Sequence, residues 1–241
     1  AKYNFSNILM RHEEIYHRKI QHPERKSAGD STGEPLSIHD LNHETPREFQ
    51  DLLIYDTYPK YSFLTHYLDA PPDWDRLLKR NQVENSLSAD LPFAYASHSE
   101  SDECFTLCFS ARREGLGIEK TYRLFKEGQV RVSHALETSL EDAWLGVEFN
   151  FMIISGQRPK VNGKEMDNDR GRYRAERIDL WDDINGAGLS ISSDAQWDIC
   201  VVPIECISQS EEGFEKTFQG WSLYWMRKVQ GDIPELVLKV G

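Results

Sequence analysis

The sequence predicts a mainly β protein: an antiparallel β-sandwich preceded by a short helical segment. Three observations carry this. From Pro92 onward, runs rich in β-branched and aromatic residues alternate with short polar turns. No strand-like run is followed by a helical one, so no βα repeat exists to build a parallel sheet or a barrel. Helical spacing is confined to the start of the chain and to one short stretch at Trp74–Arg80.

Residues 3–21 read as a helix. Phe5, Ile8, Leu9, His12, Ile15, Tyr16 and Ile20 recur at spacings of three and four, Asn4 or Ser6 can cap the start, and Pro23 forces a stop. One apolar stripe on so short a helix needs a partner to pack on. Residues 22–46 are polar and rich in Gly, Pro, Ser and Asp, the composition of a linker or mobile loop. The sandwich then spans 47–241. A second polar stretch, Asp73–Asp90, holds the short helix at Trp74–Arg80. The expected strands are Glu103–Ser110, Lys120–Lys126, Gln129–Leu136, Trp144–Ile154, Leu189–Ser192, Trp197–Ile204, Phe218–Val229 and Glu235–Val240. Glu127-Gly128 marks a hairpin between the second and third. There is no internal repeat and no low-complexity tract.

The chain has 241 residues, 39% of them hydrophobic and 11% aromatic, which is enough for a sizeable core. A formal charge of -12 repels phosphate backbones, which argues against a nucleic-acid partner and suits a neutral ligand such as a glucan. No run of about 20 apolar residues is present to span a membrane as a helix. No secretory signal is visible, and a start at Ala1 without Met suggests trimming or a cut within a longer chain. Cys104 and Cys108 on one strand lie roughly 13 Å apart, beyond the reach of a disulfide. The spacings of Cys200 and Cys206 match no zinc site either. Four reduced thiols and a cytoplasmic location follow as the expectation. No metal or cofactor is expected: His12, Glu13 and His17 lack the three- or four-residue spacing of ligands on one helical face.

Three constellations bear on chemistry. Ile54–Leu68 packs aromatics, Asp56 and a Pro turn together. Its Asp56 and Tyr58 suit a sugar, since phenol rings stack on sugar faces and carboxylates accept hydroxyl hydrogen bonds. The plainer reading places Tyr55, Phe63 and Tyr67 in the core. In Val147–Phe151, Val147, Phe149 and Phe151 point one way and Glu148 and Asn150 the other. That pair can grip adjacent hydroxyls from an open sheet face or simply be solvated there. Third, an apolar strand breaks at Pro203 and enters a polar, carboxylate-rich loop. The chain then returns through Phe214 and Phe218 to a turn at Gly220. Glu205, Gln209 and Glu211 are sugar contacts or solvated turn residues. Trp221, with Trp181, Trp197 and Trp225, is a candidate platform, though most of these rings should be core. Glycoside hydrolysis needs two carboxylates about 5–9.5 Å apart, and no segment marks such a pair among 40 acidic residues.

The Tyr55-Asp56-Thr57-Tyr58-Pro59-Lys60-Tyr61-Ser62-Phe63 run, the Gly146-Val147-Glu148-Phe149-Asn150 strand and the Val202–Gly220 segment resemble the C-terminal region of the glycoside hydrolase family 57 α-amylases and 4-α-glucanotransferases. Thr57 departs from the basic residue expected there; Lys60 keeps the second basic position. The resemblance implies a galactose mutarotase-like supersandwich. It also implies that the catalytic nucleophile and acid lie in an N-terminal barrel of the same polypeptide, so no catalytic residue is carried onto this chain. The helical segment would be the tail of the family's preceding helical region. The expected partners are that barrel and an α-glucan or other oligosaccharide; a homo-oligomer is compatible. Two alternatives stand: a stand-alone carbohydrate-binding or scaffold module, and a mutarotase-like epimerase using His98 or His134 with Glu148.

Overall fold

A computed structural model describes residues 10–21, 47–153, 155–210 and 213–241. The start of the expected N-terminal helix, the 22–46 stretch and Glu211 lie outside these. Among the described residues, twelve strands form one continuous antiparallel sheet: β1 (Leu64–Leu68), β2 (Ala94–Glu100), β3 (Cys104–Arg113), β4 (Leu116–Phe125), β5 (Gln129–Thr138), β6 (Trp144–Phe151), β7 (Lys160–Val161), β8 (Lys164–Glu165), β9 (Gly171–Asp182), β10 (Ala187–Ser210), β11 (Gly213–Lys228) and β12 (Leu236–Val240). Three short helices accompany it: α1 (His17–Gln21), α2 (Arg47–Asp51) and α3 (Trp74–Arg80).

The strand order β1-β6-β11-β10-β12-β5-β4-β3-β2 folds into two layers because β10 belongs to both. Its first half, Leu189–Ser192, pairs with β12, and its second half, Asp198–Ser210, pairs with β11. β9 follows it along both halves, with a register break between Ser192 and Trp197. A bulged corner of this kind lets a strand switch layers. The core lies between the layers and follows period-two alternation. Val147, Phe149 and Phe151 of β6 meet Trp197, Ile199 and Val201 of β10, Leu223 and Trp225 of β11, and Leu236 and Leu238 of β12. Trp197 and Trp225 contact edge to face at 6.2 Å. Phe63, at φ 63°, turns its ring inward against Phe149 (4.9 Å) and Tyr122 (5.4 Å). That places the Phe63 ring between the layers while the chain before it stays on the outer face.

A second, smaller apolar layer covers the outer face. Leu77 of α3 packs with Leu68, Val83, Val202, Tyr224 and Met226. α3 occupies the expected residues: Asp73 caps it by accepting from Arg76 N (3.0 Å), and Asn81 ends it in the left-handed conformation at φ 54°. The Glu127-Gly128 hairpin also forms, with Gly128 at φ 76°.

Three expectations change. Among the described residues of 3–21 only His17–Gln21 is helical, and Ile15 is 91% exposed. Residues 10–14 form no helix; Arg11 pairs instead with the strap, its N donating to Asp56 Oδ2 (2.9 Å) and Asp56 N donating to Arg11 O (3.0 Å). The Val202–Gly220 segment is an antiparallel arm in which β10 and β11 stay paired out to Ser210 and Gly213. Pro203 is tolerated there because the ladder is already interrupted by a register shift between Ile204 and Glu205. Cross-strand hydroxyls, Ser208 to Thr217 at 2.9 Å, hold the arm beyond it. Finally, β1, β2, β7, β8 and β9 are strands that the sequence does not announce. Among the described residues no helix is long and apolar enough to cross a membrane. All four cysteines are free thiols.

Candidate functional site

Residues 54–62 form an extended strap laid across the outward faces of β1, β6 and β11. Its own alternation explains its composition. Ile54, Asp56, Tyr58 and Lys60 turn toward the sheet and are buried, while Thr57, Pro59 and Tyr61 face solvent. The sheet answers with the outward residues His66, Glu148, Asn150, Ser222 and Tyr224, every one buried.

Glu148 is the hub. Its Oε1 accepts from Lys60 Nζ (2.9 Å) and Asn150 Nδ2 (2.8 Å), and its Oε2 from Tyr58 Oη (2.8 Å). His66 Nε2 lies 2.8 Å from that same Oε2. Lys60 Nζ also donates to Tyr224 Oη (2.8 Å) and to the Asn81 carbonyl. Tyr224 donates to Asn81 Oδ1 (2.8 Å), Ser222 to Asn150 Oδ1 (2.5 Å), and Asn150 Nδ2 to Tyr61 O (2.7 Å). Burial alone would raise the Glu148 carboxyl. Lys60, His66 and Asn150 outweigh it and bring the pKa down to about 2. Burial lowers Lys60 more than Glu148 raises it, and lifts the Tyr58 and Tyr224 phenols. The result is a charge-paired hub that fastens the strap to the sheet, with His66 Nδ1 as its one buried atom left without a partner among the described residues.

The network corrects the picture of an open gripping face. Glu148 and Asn150 lie side by side on the outward face, and Tyr58, read as part of a separate segment, joins them, but the strap covers all three and uses their hydrogen bonds. Asp56 is brought to the same strap, where Arg11 holds it through Nε (2.9 Å) and Nη2 (2.5 Å). Glu205 lies at the root of the arm against Lys216 (2.7 Å) and Arg170 (3.3 Å). Gln209 is exposed near the tip. Trp221 is core, with Nε1 donating to Gln157 O (3.1 Å). Arg11, Lys60, His66, Asn81 and Tyr224 were not singled out as site residues; the inward half of the strap alternation is the signal that points to Lys60.

A second polar cluster faces the core. Lys120 Nζ donates to Phe63 O (2.8 Å) over the Phe93 ring (4.2 Å), and His134 Nε2 meets Thr65 Oγ1 at 3.2 Å. Burial lowers Lys120 to about 7, and burial together with Lys120 lowers His134 to about 3. His134 and Glu148 bind different partners and do not form an acid–base pair, and His98 of β2 is exposed and meets Tyr95 instead of Glu148. A depressed lysine pKa penalises folding: the unfolded chain binds the proton more tightly. The penalty is complete below pH 7 and fades between about 7 and 10.5. Lys120→Met is therefore expected to gain stability relative to the native chain at pH 7 and to lose that advantage by pH 10. Urea titrations of both at the two pH values check this, and an advantage unchanged at pH 10 would contradict it.

The arm and the N-terminal segment form one further junction. Tyr16 donates to Ile207 O (2.8 Å) and stacks on Phe214 (6.2 Å), while Arg11 reaches Glu205 O (3.4 Å). Among the described residues no cluster of three or more His, Cys, Asp or Glu side chains could hold a metal ion.

Comparison with known proteins agrees with this architecture. Residues 1–235 match the family described as Alpha-amylase/4-alpha-glucanotransferase, C-terminal. Alpha-amylase 1 of Dictyoglomus thermophilum is 25% identical over 96% of this chain and 34% of its own length. A 4-alpha-glucanotransferase of Thermococcus kodakarensis is 24% identical over 95% of this chain and 33% of its own. The chain thus spans about a third of the length of these relatives. The crystal structure of 4-alpha-glucanotransferase from Thermococcus litoralis superposes with a TM-score of 0.62 at 19% identity, covering 83% of this chain and 30% of that one, which shows a shared fold. A match along nearly the whole sequence settles the membership: this chain belongs to the alpha-amylase/4-alpha-glucanotransferase C-terminal family.

Proposed function

We propose that this chain is the non-catalytic C-terminal β-domain of a cytoplasmic glycoside hydrolase family 57 enzyme acting on α-glucans. It packs on the catalytic barrel of the same polypeptide and forms one wall of the glucan groove. The observation that carries this reading is the state of its buried acids. A glycosidase needs a carboxyl kept protonated and a second one free to attack or to activate water. Here Glu148 is held ionised by Lys60, Asp56 is clamped by Arg11, and Glu205 is paired with Lys216 and Arg170. Asp182 accepts from Asn185 Nδ2 (2.7 Å) and from the backbone of Ile184 (3.1 Å).

The inner face of β2–β4 supports the packing role. Tyr95, Phe105 and Leu124 are 56%, 37% and 39% exposed, in one strip with Phe109 and Leu107, and all of β2 is exposed. A bare apolar strip that continues a core face suits cover by the remaining two-thirds of a polypeptide the length of the relatives. Such a wall contributes by orienting remote sugar units against the chemistry next door. Reconstitution tests it: the purified chain alone should leave maltoheptaose unchanged, and adding it to the separately expressed barrel should raise the barrel's activity.

A further inference from the structure

The strongest unassigned feature is on the opposite side of the sheet, at the β9–β10 hairpin. Trp197, Trp221 and Trp225 are core, but Trp181 is 50% exposed. Its cross-strand partner is Gly188. The six-membered ring lies over that glycine: a Cβ at 188 would meet Cε3 at 2.7 Å and Cζ3 at 3.3 Å. One part of the indole is therefore seated on backbone and the rest is open to solvent, so little ordering is left to do on binding.

Polar groups lie along the same hairpin. Ser155 Oγ donates to Trp181 O (3.3 Å), which draws the 155–157 loop alongside the hairpin. Gln157 Nε2 donates to Asp183 Oδ2 (3.0 Å), and buried Trp221 anchors the same loop by donating to Gln157 O (3.1 Å). Asp183 has two carboxylate oxygens and Gln157 gives it one donor, so acceptor capacity remains two residues along the chain from Trp181. Ile184, three residues on in the same hairpin, is 66% exposed and adds apolar surface. A seated indole, an amide–carboxylate pair fixed by a core tryptophan and an apolar margin fit a ligand with C–H faces and vicinal hydroxyls. The one charge in this group is negative, as is the chain, which disfavours an anion.

We propose that Trp181, Asp183 and Gln157 form a surface binding site for a short stretch of neutral α-1,4-glucan, separate from the groove wall. The choice of glucan rests on the function proposed above; the site itself rests on the geometry here. The site would hold polymer near the enzyme and raise its effective local concentration.

Calorimetric titration of the purified 241-residue chain with maltoheptaose tests this. Saturable binding with a Kd on the order of 1 mM is expected. Trp181→Ala should weaken it at least about tenfold, while Trp181→Phe should keep most of it, since a smaller ring still stacks. Phe105→Glu/Leu124→Glu on the inner strip should leave it unchanged. No saturable binding, or binding indifferent to Trp181→Ala, overturns the site. So does a Trp181→Ala chain that binds sugar normally but no longer associates with the barrel, which would make Trp181 a domain contact. These outcomes are independent of whether the barrel gains activity from the chain.

Discussion

Lys60→Met is expected to remove about 3–5 kcal/mol of stability, because it strips the counter-charge from a fully buried carboxylate. Both members of the Lys60–Glu148 pair have side-chain exposure of 0%. With the ammonium gone, Glu148 must stay charged without compensation or take up a proton, and a proton would disrupt acceptance from Tyr58 and Asn150. Lys60 also satisfies Tyr224 and the Asn81 carbonyl, so its loss reaches the C-terminus of α3. A loss of this size is a large share of the 5–15 kcal/mol typical of a domain. Urea unfolding would show it as a fall in midpoint at similar slope. The double variant Lys60→Met/Glu148→Leu should recover only the part due to the uncompensated charge, since Tyr58, His66, Asn150 and Tyr224 still lose a buried partner. A single variant as stable as the native chain would mean that the strap is not fastened through this pair.

Gly220→Ala is the second large effect, at roughly 2–6 kcal/mol. Gly220 has φ 150°, a conformation that L side chains rarely adopt, costing about 1–3 kcal/mol. Its added Cβ would land on the carbonyl oxygen of Phe151 in the neighbouring strand. Backbone against backbone cannot be relieved by a rotamer change, so overpacking adds about 1–3 kcal/mol. Relief would have to come from shifting β11 against β6 at the root of the arm that carries Phe214 to the N-terminal segment. Gly128→Ala is the control: φ is 76°, but a Cβ there meets nothing within 4 Å. It should pay only the conformational part. Equal melting shifts for the two variants would contradict the close-approach account.

What could be read in advance follows from where each signal is stored. The alternation Val147–Phe151 is local, and it placed three residues in the core and Glu148 and Asn150 outward. The strand Trp197–Ile204 was legible for the same reason, as was the position of α3. The partners of Glu148 were not. Lys60 lies 88 residues away and Tyr58 90, so an outward carboxylate reads alike whether solvent or a strap covers it. The strap hides its period-two pattern behind polar inward residues, Asp56 and Lys60, that usually mark an exposed face. The arm was mistaken for a loop because Pro203 and a run of carboxylates are poor strand formers, and its pairing depends on a bulge that composition does not show. β2 has no alternation to detect, since all of its residues are exposed.

The claim on which the rest depends is that this chain supports chemistry done elsewhere. The product profile from maltoheptaose tests it in three incubations: the chain alone, the separately expressed barrel alone, and the two together. The account predicts no products from the chain alone and a gain on mixing. That gain should be lost when the chain carries Phe105→Glu/Leu124→Glu. New oligosaccharides from the purified chain by itself would contradict it.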